Sequence, residues 1–120
     1  MTAQLSLIDE QGRARQARDE GMSRALAHAE ADTPSWGEIA YAWLYRYATS
    51  HERFTGFILT AESHRDKTFP QPANERAWGQ VYRRATKSGV IRDSGQTMPH
   101  PRRHACKAIV WRSLVYQDAA

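Results

Sequence analysis

Five polar side chains between residues 76 and 87 carry the clearest chemical signal in the sequence. Arg76, Gln80, Arg83 and Lys87 recur at i, i+4, i+7 and i+11, with Arg84 beside them. On a helix this spacing gathers four cations and one amide on one stripe with no acid between them. Arg can pair with guanine O6 and N7 and Gln with adenine N6 and N7, while Lys and the remaining Arg hold phosphates. A merely solvated helix face usually mixes Glu with Lys, so the stripe points to duplex DNA. Arg102 and Arg103 add a second contact of the same sign. They end a segment stiffened by Pro99 and Pro101, from which guanidinium groups can reach a phosphate backbone or a minor groove.

The charge distribution supports the same reading. The 120 residues carry a net +4, yet residues 76–112 hold nine cations against the single acid Asp93, a net +8 that leaves −4 for the rest. One strongly basic end is the electrostatic footprint of a protein that meets a polyanion. The aromatic residues fall on apolar faces, which favours core packing over base stacking and DNA over RNA.

Other chemistries find less support. His100 and His104 are four apart with Cys106 nearby, but a Pro-interrupted segment does not align the two imidazoles and no carboxylate completes a metal site. His51, Glu62, His64 and Asp66 match no nuclease spacing, and the chain has no phosphate loop, nucleophile elbow or dinucleotide fingerprint. The expectation is a protein that is not an enzyme and needs no cofactor or metal. The single cysteine excludes an internal disulfide. With neither a long apolar run nor a secretion signal, no membrane contact and a cytoplasmic location are expected.

The elements that must position these residues follow from periodicity and punctuation. Residues 1–12 read as a flexible tail ending at Gly12, and residues 13–32 as an N-terminal helix with Met22, Ala25, Leu26 and Ala29 on a narrow apolar stripe. Asp32-Thr33-Pro34 breaks it, and Ser35 with Glu38 forms a capping-box pattern for the next helix. That helix, Trp36 to about Ala48, carries Trp36, Ile39, Ala40, Trp43, Leu44 and Tyr47 on its core face. Phe54-Thr55 supplies a short extended link and an N-cap for a helix running to about Arg65. Asn74 caps a third helix whose inner face is Trp78, Val81, Tyr82 and Ala85, and Gly89 ends it. Val90–Arg92 and Ala105–Val115 read as strands around a long loop, residues 93–104. The fold expected is mainly α with a small β-hairpin: a winged helix-turn-helix over residues 33–117 with an extra N-terminal helix, and a tail at 118–120.

Leu5, Leu7 and Ile8 have no neighbouring apolar sequence to bury them. The run Gln4-Leu5-Ser6-Leu7-Ile8 resembles the short peptide by which bacterial replication and repair proteins dock on the DNA polymerase sliding clamp. The resemblance implies Gln4 as the polar anchor, Leu5 as the first pocket residue, and Leu7 with Ile8 as the terminal pair. Most of the chain also resembles a family of small phage and prophage proteins, through Ala17 to Met22, Ala77 to Gly79, His104-Ala105 and Val110-Trp111. This resemblance implies a phage origin and DNA-linked biology. Joined to the basic helix and the arginines after it, it leads to the expectation of a phage-type accessory protein of replication or transcription control that binds duplex DNA, with recruitment to the clamp through the N-terminal peptide. The alternative is a protein-binding inhibitor or adaptor of a host complex, with the winged helix as scaffold.

Overall fold

The computed structural model describes residues 2–117, with side chains for 10–102 and 106–117. The expected tail at 118–120 lies outside the described residues. The elements run α1 (Thr2–Asp32), α2 (Trp36–Ser50), β1 (Arg53–Thr55), α3 (Gly56–Arg65), a 3-10 turn (Glu75–Ala77), α4 (Trp78–Lys87), β2 (Ile91–His100) and β3 (Arg103–Ser113). The protein is mainly helical, with one three-stranded antiparallel sheet of order β1-β3-β2.

The first helix differs most from expectation. It begins at Thr2, not Arg13, and runs through Gly12 and Gly21. Residues 2–11 are rich in good helix formers, and one interior glycine costs a helix only about 1 kcal/mol, too little to stop it. Residues 10–18 are exposed, whereas Ala25 and Ala29 are buried. The expected apolar stripe therefore seats only the second half of α1 on the body of the protein.

The break after α1 falls where Pro34 requires it, but its chemistry is different. Ser35 takes a left-handed conformation, φ 62°, and its hydroxyl does not cap α2. An N-cap side chain reaches the first free N–H groups from an extended backbone, which Ser35 lacks. Glu38, freed from a capping box, reaches α4 instead. Thr55 does cap α3, accepting from the Ile58 N–H at 3.4 Å, and Asn74 accepts from the Arg76 N–H at 2.9 Å. At the end of α4, Gly89 sits at φ 75°, the Val90 N–H donates to the Ala85 carbonyl and the Gly89 N–H to that of Thr86. This pair of bonds, with a left-handed glycine, satisfies the last carbonyls of the helix.

The core is aromatic. Trp36, Leu44 and Leu59 are fully buried, and Trp36 meets Trp78 edge to face at 5.4 Å. The Trp36 indole N–H donates to the Pro70 carbonyl at 2.8 Å and that of Trp43 to Asp66 Oδ2 at 2.9 Å, so the loop after α3 is tied to α2 through two indoles. Tyr82 stacks on Trp111 at 5.6 Å, which fixes α4 against the inner face of the sheet.

The hairpin is longer than expected. Strand pairing runs from Ile91↔Ser113 to His100↔Arg103, so most of the segment read as loop is paired backbone, closed by a turn at Pro101-Arg102. Gly95 at φ 81° occupies the irregular stretch between Asp93 and Thr97, and Pro99 lies on the sheet's outer strand beside a second irregularity. Bulges and edge strands are where sheets admit Gly and Pro, the residues that made the segment read as loop.

Candidate nucleic-acid interface

Helix α4 presents two faces, as its periodicity predicts. Trp78, Val81 and Ala85 are buried, while Arg76, Arg83, Arg84 and Lys87 are exposed and Gln80 is half-buried. The cations are exposed, but they do not share one direction: Arg83 reaches α1 and Arg84 reaches α2. Nor is the exposed side bare, because α1 lies along part of it. Gln80 Nε2 donates to Ser23 Oγ at 3.2 Å, and Arg83 forms an ion pair with Asp19. Gly79 lets the helices approach closely: a Cβ there would fall inside contact distance of Met22 Sδ and 2.9 Å from its Cγ. Arg76 Nη1 lies 3.5 Å from where a Cβ on Gly21 would stand.

Arg84 turns the other way. Its Nη1 donates to Glu38 Oε1 of α2 at 2.7 Å, and its guanidinium lies 4.1 Å over the Tyr41 ring. The Glu38 hydrogen bond pushes the Arg84 pKa up, so the guanidinium is firmly cationic. Arg83 and Arg84 each keep 46% of their side chain exposed. Exposed pairs of this kind stabilise little and yield to a stronger anion.

At the far end of the hairpin Arg102 is exposed in the turn, where its N–H donates to His100 Nδ1 at 3.1 Å. Arg103 opens β3, and its side chain lies outside the described ones. So do the side chains of Gln4, Leu5, Leu7 and Ile8, whose backbone belongs to α1.

The sequence reading missed a second basic feature. Register pairs Arg53 with Arg112 and Arg112 with Arg92, so three exposed arginines stand side by side across the sheet, on the face away from α4. Only strand register reveals this row, since the three positions are far apart in the chain. Asp19 and Glu38 were missed as partners for a similar reason, because each belongs to a different helix from the arginine it meets.

Among the described residues no three His, Cys, Asp or Glu side chains gather as metal ligands. His51 stacks on Tyr47 at 3.8 Å, His64 pairs with Glu75 at 3.3 Å, Glu62 with Arg65 at 3.4 Å, and Asp66 with Trp43, so these groups do not converge. Nor is any helix of the described residues long and apolar enough to cross a membrane. Compared with known proteins, the chain matches no family model, no curated protein and no solved structure.

Proposed function

We propose that the protein is a winged-helix DNA-binding accessory factor, with Arg76 of the 3-10 turn and Gln80, Arg83, Arg84 and Lys87 of α4 addressing the duplex and Arg102 and Arg103 at the hairpin tip. The observation that carries this reading is the succession helix, strand, helix, helix, hairpin with strand order β1-β3-β2, in which the basic helix directly precedes the hairpin. In a winged helix that helix enters the major groove and the hairpin follows the backbone. Helix α1 occupies part of the same face, so α4 meets the groove fully only after Asp19 and Ser23 release Arg83 and Gln80. The free protein then holds its basic helix against an internal acid, which weakens indiscriminate binding to polyanions. The resemblance to phage and prophage proteins supports replication or transcription control as the setting. Gln4, Leu5, Leu7 and Ile8, at the far end of α1, serve as the anchor to the sliding clamp.

Binding of a labelled duplex followed by fluorescence anisotropy tests the reading. Lys87→Glu and Arg102→Glu remove cations that are in no ion pair among the described residues, so neither breaks a contact of that kind, and circular dichroism checks that both are folded. Each is expected to weaken binding in low salt, and unchanged affinity in both would overturn the assignment.

The coverage of α4 by α1 favours a second reading, a protein-binding adaptor in which the winged helix is scaffold. In that case the chain binds a partner protein and the duplex arm of the same experiment shows no binding.

A further inference from the structure

The arginine row on the outer face of the sheet is costly by itself. Arg53, Arg112 and Arg92 are direct cross-strand neighbours, and like charges placed directly opposite destabilise a sheet. Asp93, the neighbour of Arg92 on β2, pairs with Trp111 and so alternates onto the other face. Among the described residues none of the three arginines is in an ion pair, and the one side-chain bond from the row is from Arg53 Nη1 to Gln96 Oε1 at 3.0 Å.

Beside the row lies an open groove of about 520 Å³, in which the aliphatic side chains of Ile58, Met98 and Val110 meet the polar ones of Arg53, Gln96 and Thr97. Val110 precedes Arg112 by two residues on β3 and so shares its face, as does Met98 through its register with Ala108. Ile58 is 38% exposed and Met98 42%. A ligand here meets guanidinium groups at one end and aliphatic side chains at the other. Nucleic acid suits only half of this arrangement. A duplex backbone has no use for aliphatic side chains, and a single strand requires a stacking aromatic, whereas Phe54, the one aromatic lining residue, is 3% exposed. A peptide carrying both carboxylates and apolar side chains suits both halves, with bidentate pairs to the arginines and a flexible Met to fit an irregular surface.

We propose that this face docks an acidic, partly apolar segment of a partner protein, its carboxylates on Arg53, Arg112 and Arg92 and its apolar side chains against Ile58, Met98 and Val110. The assignment goes beyond both readings of α4 and stands whether or not that helix meets DNA.

Selection of displayed random peptides on the immobilised full-length chain tests it, followed by affinity measurement of the best synthetic peptide. Peptides enriched in both Asp or Glu and large apolar residues are expected, with binding reduced roughly tenfold or more by Arg112→Gln, also reduced by Met98→Glu, and untouched by Lys87→Glu. Arg112→Gln is also expected to raise the melting temperature, since it relieves repulsion; a fall would mark the arginine as structural and overturn the proposal. No enrichment, enrichment for basic peptides, or full binding to Arg112→Gln would overturn it too. So would displacement of the row's function to single-stranded DNA, seen as loss of oligonucleotide binding in Arg112→Gln with no selected peptide. Loss of duplex binding alone in Lys87→Glu would leave the peptide site standing, which separates the two surfaces.

Discussion

Replacing Gly79 by Ala gives a stringent test of how α1 sits on α4. Gly79 is the second residue of α4, where the change stabilises by at most the ~1 kcal/mol of a helix interior, because Ala loses less backbone entropy than Gly. Here the new Cβ would overlap Met22 Sδ and stand 2.9 Å from Met22 Cγ, so Met22 must leave its rotamer or α1 must lift. Overpacking of this kind costs about 1–3 kcal/mol. The net effect expected is a destabilisation of about 0–2 kcal/mol. In a Met22→Ala background the obstruction is gone, and the same substitution should stabilise by up to about 1 kcal/mol. The two effects are therefore coupled by about 1–3 kcal/mol, measurable from urea unfolding of the parent, both single variants and the double variant. Trypsin cleavage at the exposed Arg24 adds a local readout and should quicken in Gly79→Ala if α1 lifts without global unfolding. Strict additivity, within about 0.5 kcal/mol, would refute the placement of Met22 on Gly79.

Three further outcomes follow from the geometry. Asp19→Asn removes the partner of Arg83 and should tighten duplex binding roughly two- to fivefold, the range set by an exposed ion pair; weaker binding would contradict the role of α1 as a cover. The Tyr82 side chain is partly buried, with its hydroxyl fully enclosed and unpaired among the described residues, and this desolvation pushes its pKa far above the usual tyrosine value. Stability tied to this group is complete below about pH 10 and falls as the unfolded chain ionises above it, so Tyr82→Phe should leave neutral-pH stability equal or higher and blunt alkaline unfolding between pH 10 and 12. Gly89→Ala should cost about 1–2 kcal/mol by thermal melting, because the left-handed C-terminal position tolerates a Cβ poorly.

Local signals in the sequence foretold much of this architecture. Pro34, Thr55 and Gly89 each act within a few residues of themselves, and the break or caps they announce are present, whereas Asn74 caps the 3-10 turn that leads into α4 and not α4 itself, which starts at Trp78 without a side-chain cap. The inner face of α4 was equally legible, because Trp78, Val81 and Ala85 meet the core at helical spacing. What local reasoning could not supply was contact between distant segments. Nothing near Arg83 or Arg84 reveals that Asp19 and Glu38 stand against them, and the bulge around Gly95 shifts the register, so that two prolines and a glycine look like a loop although they lie in or beside a paired hairpin. Ser35 and Glu38 show the opposite error: a pattern with a sound local mechanism gives way to a left-handed turn and a longer-range ion pair.

Duplex affinity as a function of salt bears most directly on the claim that α4 and the hairpin tip hold DNA. Six cations are assigned to that surface, Arg76, Arg83, Arg84, Lys87, Arg102 and Arg103. If all reach phosphates, the logarithm of affinity should fall against the logarithm of salt with a slope of about −5, and Lys87→Gln and Arg102→Gln should each lessen the slope by about 1. A slope near zero, or one unchanged in both variants, would contradict the account.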